Sequence, residues 1–230
     1  MDKKQSDQKP EPTIWDIPDV VWPIIQEILY DQSPAYREVC FLSNVGAFPQ
    51  VSSFITAGAE INSIYYEVLS IAGRAGPIGQ VPILVGTNQV PNAAAFIYAG
   101  QRIIAYNPVF FHALRWKAHE VELTRTGQPA GERWATLFLL AHELGHHVRG
   151  HVATYARDSA YRHNAEYEAD DYAVGILKQM GANERSITIF YIATTYLIGV
   201  SPELPSPTHP STANRIEQIV RRHFFWRTFP

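Results

Sequence analysis

Apolar residues recur at helical spacing along most of the chain, while one central region has the pattern of short strands. Apolar side chains three or four positions apart predict helices over residues 19–30, 59–72, 108–119, 132–152, 164–180, 183–198 and 211–224. Short β-branched or aromatic runs, separated by turn formers, predict strands over residues 81–87, 93–99 and 101–106. Gly100 between the last two strands indicates a tight hairpin.

Glycine, proline and capping residues indicate where several of these elements begin and end. Pro108 suits a first helical position, Gly181 a helix C-terminus, and Asn183 the cap of the next helix. Four prolines predict an irregular loop over residues 201–210. These patterns predict an α+β fold that is predominantly helical, with one small antiparallel sheet. We expect one domain over residues 14–230, preceded by a disordered tail over residues 1–13.

Composition and charge exclude several classes of protein. The 230 residues are 46% hydrophobic and 18% charged, with a net charge of −3, which argues against wholesale disorder and against a basic nucleic-acid-binding protein. Cys40 is the only cysteine, so the chain has no internal disulfide. The polar N-terminus and the lack of any apolar run of about 18 residues predict a cytoplasmic protein without a transmembrane segment. Peripheral membrane contact and the oligomeric state stay open.

The predicted helix over residues 132–152 contains the string His-Glu-Leu-Gly-His from His142 to His146. Histidines four residues apart project from one helix face, so both imidazoles can reach one metal ion. Zinc lowers the pKa of its water from 15.7 to about 7, and Glu143 between the histidines can accept the proton. The string therefore predicts a zinc site with Glu143 as general base.

A catalytic zinc ion ordinarily has three protein ligands. A metzincin would place a histidine six residues after His146, where Val152 stands, and His151 would lie off the ligand face of a continuing helix. Downstream carboxylates remain, and Glu166 and Asp170 share a helix face while Glu168 points elsewhere. This spacing lets Glu166 bind the metal and Asp170 accept a hydrogen bond from a ligating histidine. We expect His147 and His151 on the polar flank of the helix.

Beyond these residues, the chain resembles the gluzincin metallopeptidases that include HtpX, the CAAX prenyl endopeptidases and BepA. The resemblance covers about residues 76–220. Four features in order carry it, namely Pro91-Asn92-Ala93 with Arg102-Ile103-Ile104 and Asn107, the His-Glu-Leu-Gly-His helix, the segment from Glu166 to Asp170, and Thr208-His209-Pro210 leading to Arg215-Ile216.

The resemblance implies roles for residues that the spacing alone does not assign. Glu166 would be the third ligand, Asp170 would support a ligating histidine, and His209 would lie near the metal. There His209 would either stabilise the transition-state oxyanion or occupy the open zinc position in a resting state. Arg215 would position the loop or the substrate, with an ordinary surface role equally open. The strand after Asn92 would be the edge to which an extended peptide adds.

We expect a zinc-dependent endopeptidase with one Zn²⁺ per chain and a polypeptide substrate. Two alternatives stay open: a latent or non-catalytic zinc module that binds a partner through the edge strand, and hydrolysis of a non-peptide amide or ester. Many members of the resembled family carry transmembrane helices, or a signal sequence and repeats. The chain shows neither, so membrane-protein and prenylated substrates are not carried over.

Overall fold

The computed structural model describes residues 55–88, 90, 92–98, 100–126, 131–153, 158–198, 205 and 209–224. The predicted tail over residues 1–13, the helix predicted over 19–30, Cys40 and most of the loop predicted over 201–210 lie outside these residues. The described helices are α1 Ala59–Ala75, α2 Pro108–Thr126, α3 Gly131–Val148, α4 Ser159–Gln179, α5 Glu184–Ile198 and α6 Thr212–His223. The predominantly helical α+β class is confirmed.

A small sheet accompanies the helices. Its strands are β1 Ile55–Thr56, β2 Ile83–Gly86, β3 Ala93–Tyr98 and β4 Gln101–Tyr106, in the spatial order β1-β2-β4-β3. The predicted hairpin is present, because β3 pairs antiparallel with β4 and Gly100 has a φ of +78°, which a tight turn requires. The prediction of a purely antiparallel sheet is wrong. Strand β4 runs parallel to β2, because the chain crosses over after β2 and places β3 at the edge.

Capping groups explain where the helices begin and end. Asn183 Oδ1 accepts a hydrogen bond of 2.9 Å from the Ser186 N–H, so the predicted cap of α5 is present. Asp158 caps α4, which therefore begins several residues before the predicted start. Helix α3 ends at Val148 instead of residue 152, and Gly150 with a φ of +78° turns the chain into a 3-10 turn, His151–Ala153.

Helix α3 lies at the centre of the described structure, packed against α2, α4, α5 and strand β3. Its side chains are buried without a break from Ala135 to His147. Each of its fully buried leucines stabilises the fold by roughly 1.5–3 kcal/mol through burial of apolar surface. No described helix is long and apolar enough to cross a membrane.

Gly145 lets α4 approach α3 closely. A Cβ atom added at Gly145 would lie 3.1 Å from the Ala169 Cα and 3.2 Å from the Ala169 carbonyl oxygen. These separations are shorter than ordinary carbon–carbon contacts of about 3.5–4.0 Å. Gly145 lies between His142 and His146 in α3, and Ala169 lies between Glu166 and Asp170 in α4, so the helices approach closely beside these predicted site residues.

Candidate active site

Helices α3 and α4 bring three potential metal ligands together. The Nε2 atoms of His142 and His146 are 3.1 Å apart, and each lies 3.4 Å from a different carboxylate oxygen of Glu166. All three side chains are buried, and one potential ligand atom from each lies within 4.8 Å of the other two. The structure thus places the three predicted ligands in one group.

The geometry and chemistry of this group fit a zinc ion. Ligand distances of about 2.0–2.1 Å in a tetrahedral site correspond to separations of about 3.3–3.4 Å between ligand atoms, close to those observed. Two imidazoles and one carboxylate are also a donor set that zinc uses in catalytic sites. Neither oxygen of Glu166 has a hydrogen-bond partner within the described part of the chain, although the side chain is 0% exposed. The nearby Arg215 guanidinium, 3.3 Å from Oε2, is shared with Asp170, so a bound cation would further stabilise this buried carboxylate.

Asp170 supports His142 from the side away from Glu166. The His142 Nδ1–H donates to Asp170 Oδ1 at 2.9 Å, which leaves Nε2 as the lone-pair nitrogen that faces the ligand group. Burial would raise the pKa of Asp170, but the charge and hydrogen bonds of Arg215 lower it to about 2. Asp170 is therefore ionised at neutral pH, and it holds His142 in the tautomer that a metal ligand needs.

The carboxyl group of Glu143 is buried beside strand β3. It accepts a hydrogen bond from the backbone N–H of Ala95 in β3, while its Oε2 has no partner among the described residues. Burial raises the pKa of Glu143 to about 8, with the charge of Glu166 adding to the effect. In the absence of a metal ion this group is therefore mostly protonated at pH 7.

The pKa of Glu166 is displaced in the opposite direction from that of Glu143. Burial alone would raise its pKa, but the neighbouring imidazoles of His209, His142 and His146 hold it well below the usual value. Two buried carboxyl groups with pKa values displaced in opposite directions are typical of sites in which one group binds a cation and the other transfers protons.

His209 and Arg215 reach the site from the loop before α6 and from α6 itself. The Nε2 atom of His209 is 3.7 Å from Glu166 Oε2, and burial lowers the pKa of His209 to about 4. Arg215 is only 9% exposed, and its Nη2 lies 3.3 Å from Glu166 Oε2. The surface role left open for Arg215 is therefore excluded. The catalytic role of His209 stays a prediction.

Asn92 lies at the start of the edge strand and outside the ligand group. Its side-chain oxygen accepts a hydrogen bond of 2.7 Å from the Ala93 N–H, and its carbonyl oxygen accepts one of 2.7 Å from the Asn107 N–H. Asn92 thus joins the start of β3 to the residue after β4. The structure gives Asn92 this local contact, and its contact with substrate stays a prediction.

Comparison with known proteins adds one finding. Residues 134–227, less than half of the chain, match the family model described as Peptidase U49. This match indicates a peptidase. The matched segment contains His142, His146 and Glu166, the three potential metal ligands. It also contains Glu143, His209 and Arg215. No curated protein and no solved structure matches the chain.

Two histidines at the end of α3 differ from the prediction. His147 and His151, expected on a polar flank, are only 1% and 4% exposed. The His147 Nε2–H donates to the Ile103 carbonyl oxygen at 2.8 Å, which ties α3 to strand β4. His151 lies beside His146, with their Nδ1 atoms 3.0 Å apart. The expectation failed for His147 because strand β4 packs against that side of the helix. It failed for His151 because it assumed a helix that continues past Val148, whereas Gly150 turns His151 back toward His146.

Proposed function

We propose that this chain is a zinc-dependent endopeptidase of the gluzincin type. His142, His146 and Glu166 would hold one zinc ion, with Glu143 as the general base. The observation that carries the proposal is the buried group of three ligand atoms with nearly tetrahedral separations, next to a glutamate that is not part of it. The peptidase family match over residues 134–227 supports the same class of reaction.

A zinc ion in this site would supply a Lewis acid that polarises a carbonyl group and makes water acidic enough to be deprotonated near neutral pH. Glu143 would take the proton from the attacking water and return it to the leaving amine. Glu143 Oε2 has no hydrogen-bond partner among the described residues, so this oxygen can accept that proton. The raised pKa also makes the protonated form of Glu143 accessible, which the second transfer requires.

Strand β3 is a suitable place for an extended peptide. It is an edge strand of the described sheet, and its Ala95 N–H donates to Glu143. A peptide that paired with this edge would lie beside the general base. Main-chain pairing also suits an enzyme that cleaves within polypeptides, because it does not depend on particular side chains.

Arg215 and His209 would have different roles in the site. Arg215 is bound to Asp170 and faces Glu166, so we assign it to positioning the ligands. His209 is partly exposed, and its Nε2 faces the ligand group. A hydrogen-bond donor near the reacting carbonyl stabilises the oxyanion of the tetrahedral intermediate. We propose this role for His209.

A second candidate function follows from the same position of His209. Its Nε2 atom lies 3.7 Å from Glu166 Oε2, near enough for a small shift to bring it into the ligand group. A site with four protein ligands would be closed, as in structural zinc sites. The chain would then be a latent enzyme or a zinc module that binds a partner through β3.

Metal content and casein cleavage test the main proposal. We would measure both for the wild type, Glu143→Gln, Glu166→Gln and, as a matched control, Glu217→Gln on the exposed face of α6. We expect about one zinc per chain in the wild type, Glu143→Gln and Glu217→Gln, and a reduced content in Glu166→Gln. Chelator-sensitive cleavage should occur in the wild type and the control only.

Three outcomes are informative. Zinc with cleavage lost only in Glu143→Gln and Glu166→Gln supports the endopeptidase. Zinc without cleavage in the wild type favours the latent or non-catalytic module. A wild-type protein without stoichiometric zinc contradicts both candidates.

A further inference from the structure

The two histidines of the proposed zinc site are supported by different kinds of groups. His142 donates to the carboxylate of Asp170, which is itself bound to Arg215. The Nδ1 atom of His146 instead lies 3.0 Å from the Nδ1 atom of another histidine, His151. A further contact leads toward the surface, because His151 Nε2 is 3.2 Å from Glu168 Oε2. The contacts from His146 through His151 to Glu168 thus form a series.

The end of α3 explains how His151 reaches this position. The helix ends at Val148, and the Gly150 N–H donates to the His147 carbonyl oxygen at 3.2 Å. Gly150 has a φ of +78°, in the left-handed region that favours glycine. The chain turns there, and the 3-10 turn that begins at His151 places this side chain beside His146 in the last turn of the helix. The His151 side chain is 6% exposed.

Hydrogen-bond chemistry determines where the protons in this series lie. Two ring nitrogens 3.0 Å apart need one proton between them, so one nitrogen donates and the other accepts. His146 Nε2 faces the ligand group and must carry a lone pair there, so its proton is on Nδ1. His151 therefore accepts with Nδ1 and carries its own proton on Nε2. That Nε2–H donates to the carboxylate of Glu168.

We propose that His151 is a positioning residue for the zinc site, which fixes the tautomer and the ring orientation of His146. The inference rests on the proposed function, because it assigns Nε2 of His146 to the metal. Glu168 acts from the surface by fixing the tautomer of His151 in turn. Its side chain is 57% exposed, so water can replace it and its contribution is smaller than that of His151.

Zinc affinity of the metal-free protein, measured by competition with a chromogenic chelator, tests this role. His151→Leu removes the acceptor at similar volume, whereas His151→Asn places an amide oxygen near the position of Nδ1. His147→Leu is the matched control, because it removes a buried histidine whose Nε2–H donates to the Ile103 carbonyl oxygen in strand β4. Circular dichroism would establish that each variant is folded.

We expect His151→Leu to weaken zinc binding about 10–100-fold, the usual effect of losing a group that orients a ligand. His151→Asn should stay within a few-fold of the wild type, as should His147→Leu. Equal affinities of His151→Leu and His147→Leu would overturn the inference while leaving the zinc site intact. A wild type that binds no zinc would instead overturn the proposed function, and this inference with it.

A second measurement decides the matter even if His151→Leu does not fold. Long-range proton–nitrogen NMR spectra of the zinc-loaded wild type report which ring nitrogen of each histidine carries the proton. Nδ1–H for His146 together with Nε2–H for His151 supports the role. Nδ1–H for His151 would overturn it, because His151 could then not accept from His146.

Discussion

Arg215 binds Asp170 through two parallel hydrogen bonds, from Nε to Oδ2 at 2.7 Å and from Nη2 to Oδ1 at 2.6 Å. Both residues are buried, and they are 45 positions apart in the chain. Bidentate pairs of this kind are among the stronger hydrogen-bonded interactions in proteins. Since Asp170 also accepts from His142, the pair connects the C-terminal helix α6 directly to a proposed metal ligand.

Asp170→Asn should therefore lower both the stability of the fold and the affinity for zinc. The variant keeps the shape of the side chain but leaves the buried charge of Arg215 without its main partner. We expect the free energy of unfolding to fall by about 3–5 kcal/mol, the usual effect of removing one member of a buried pair. Urea denaturation would measure this loss, and chelator competition should show weaker zinc binding.

Asp171→Asn is the control for that experiment. Asp171 is the next residue in the chain and pairs with His223 nearer the surface, where its side chain is 31% exposed. Screening by water limits such a pair to roughly 0–1 kcal/mol. Equal destabilisation by the two variants would contradict a special role for the Asp170–Arg215 pair.

Metal-free Glu143→Gln should be more stable than the metal-free wild type at neutral pH. Burial raises the pKa of Glu143 from 4.5 to about 8, so between these values the folded wild type holds a proton that the unfolded chain has lost. The contribution of protonated Glu143 to the stability of the wild type is fully present below pH 4.5, and it is lost as the pH rises to about 8. The glutamine variant has no such loss.

The difference between the two unfolding free energies should thus grow from pH 5 to pH 8 and then level off. Its size should be on the order of a few kcal/mol, since each unit of pKa shift corresponds to about 1.4 kcal/mol. Denaturation curves of both metal-free proteins across this range would measure it. A difference that does not change with pH would show that Glu143 is not buried as described.

His209→Ala distinguishes the two candidate functions. If His209 stabilises the oxyanion, its loss should lower kcat about 10²–10³-fold while the zinc content stays near one per chain. If His209 closes the site as a fourth ligand, its loss should open a position and raise activity from a low level. Steady-state kinetics on one peptide substrate, with zinc analysis of the same samples, would separate these outcomes.

Gly145→Ala should destabilise the packing of α3 on α4. The added methyl group would meet the backbone of Ala169 at 3.1–3.2 Å, and backbone atoms within a helix cannot readily move aside. Overpacking of this kind costs about 1–3 kcal/mol. Thermal or urea denaturation would measure the loss, and zinc affinity should fall with it because the ligands lie on the two helices.

Gly175→Ala is the matched control, since Gly175 lies within α4 and a Cβ there would have nothing within 4 Å. This change should stabilise the protein by about 0.5–1 kcal/mol, because alanine restricts the unfolded chain and favours the helix. A stabilising Gly145→Ala would contradict the close contact between the helices.

The local part of the site could be predicted from the chain because helix geometry determines it. Residues four apart on a helix share a face, and this relation alone places His142 with His146 and Glu166 with Asp170. The hairpin at Gly100 and the cap at Asn183 likewise depend on a few adjacent residues. Such features do not require knowledge of how the elements pack together.

The remaining features depend on contacts between distant segments. The parallel pairing of β2 with β4 is one, and the contact of Arg215 with Asp170 is another. His151 was misplaced for a different reason, because a single glycine with a positive φ ended the helix before the spacing rule could apply. Its proximity to a histidine pair was a signal, but the assumed continuous helix pointed it away.

The unequal charges at the site have a thermodynamic consequence. Among the described residues there, the carboxyl groups of Glu143, Glu166 and Asp170 are buried together with one guanidinium group, that of Arg215. Without a metal ion, the protonated state of Glu143 limits the net negative charge. A divalent cation would complete the balance with all three carboxylates ionised, so binding below pH 8 should expel about one proton per chain.

The imidazole of His146, with a pKa of about 3, is already neutral and would release none. The apparent affinity for the cation should consequently rise with pH by up to about tenfold per unit until Glu143 ionises on its own. A monovalent ion cannot neutralise the site in this way. The excess of buried carboxylates over buried positive charges therefore favours a divalent cation and makes its binding depend on pH.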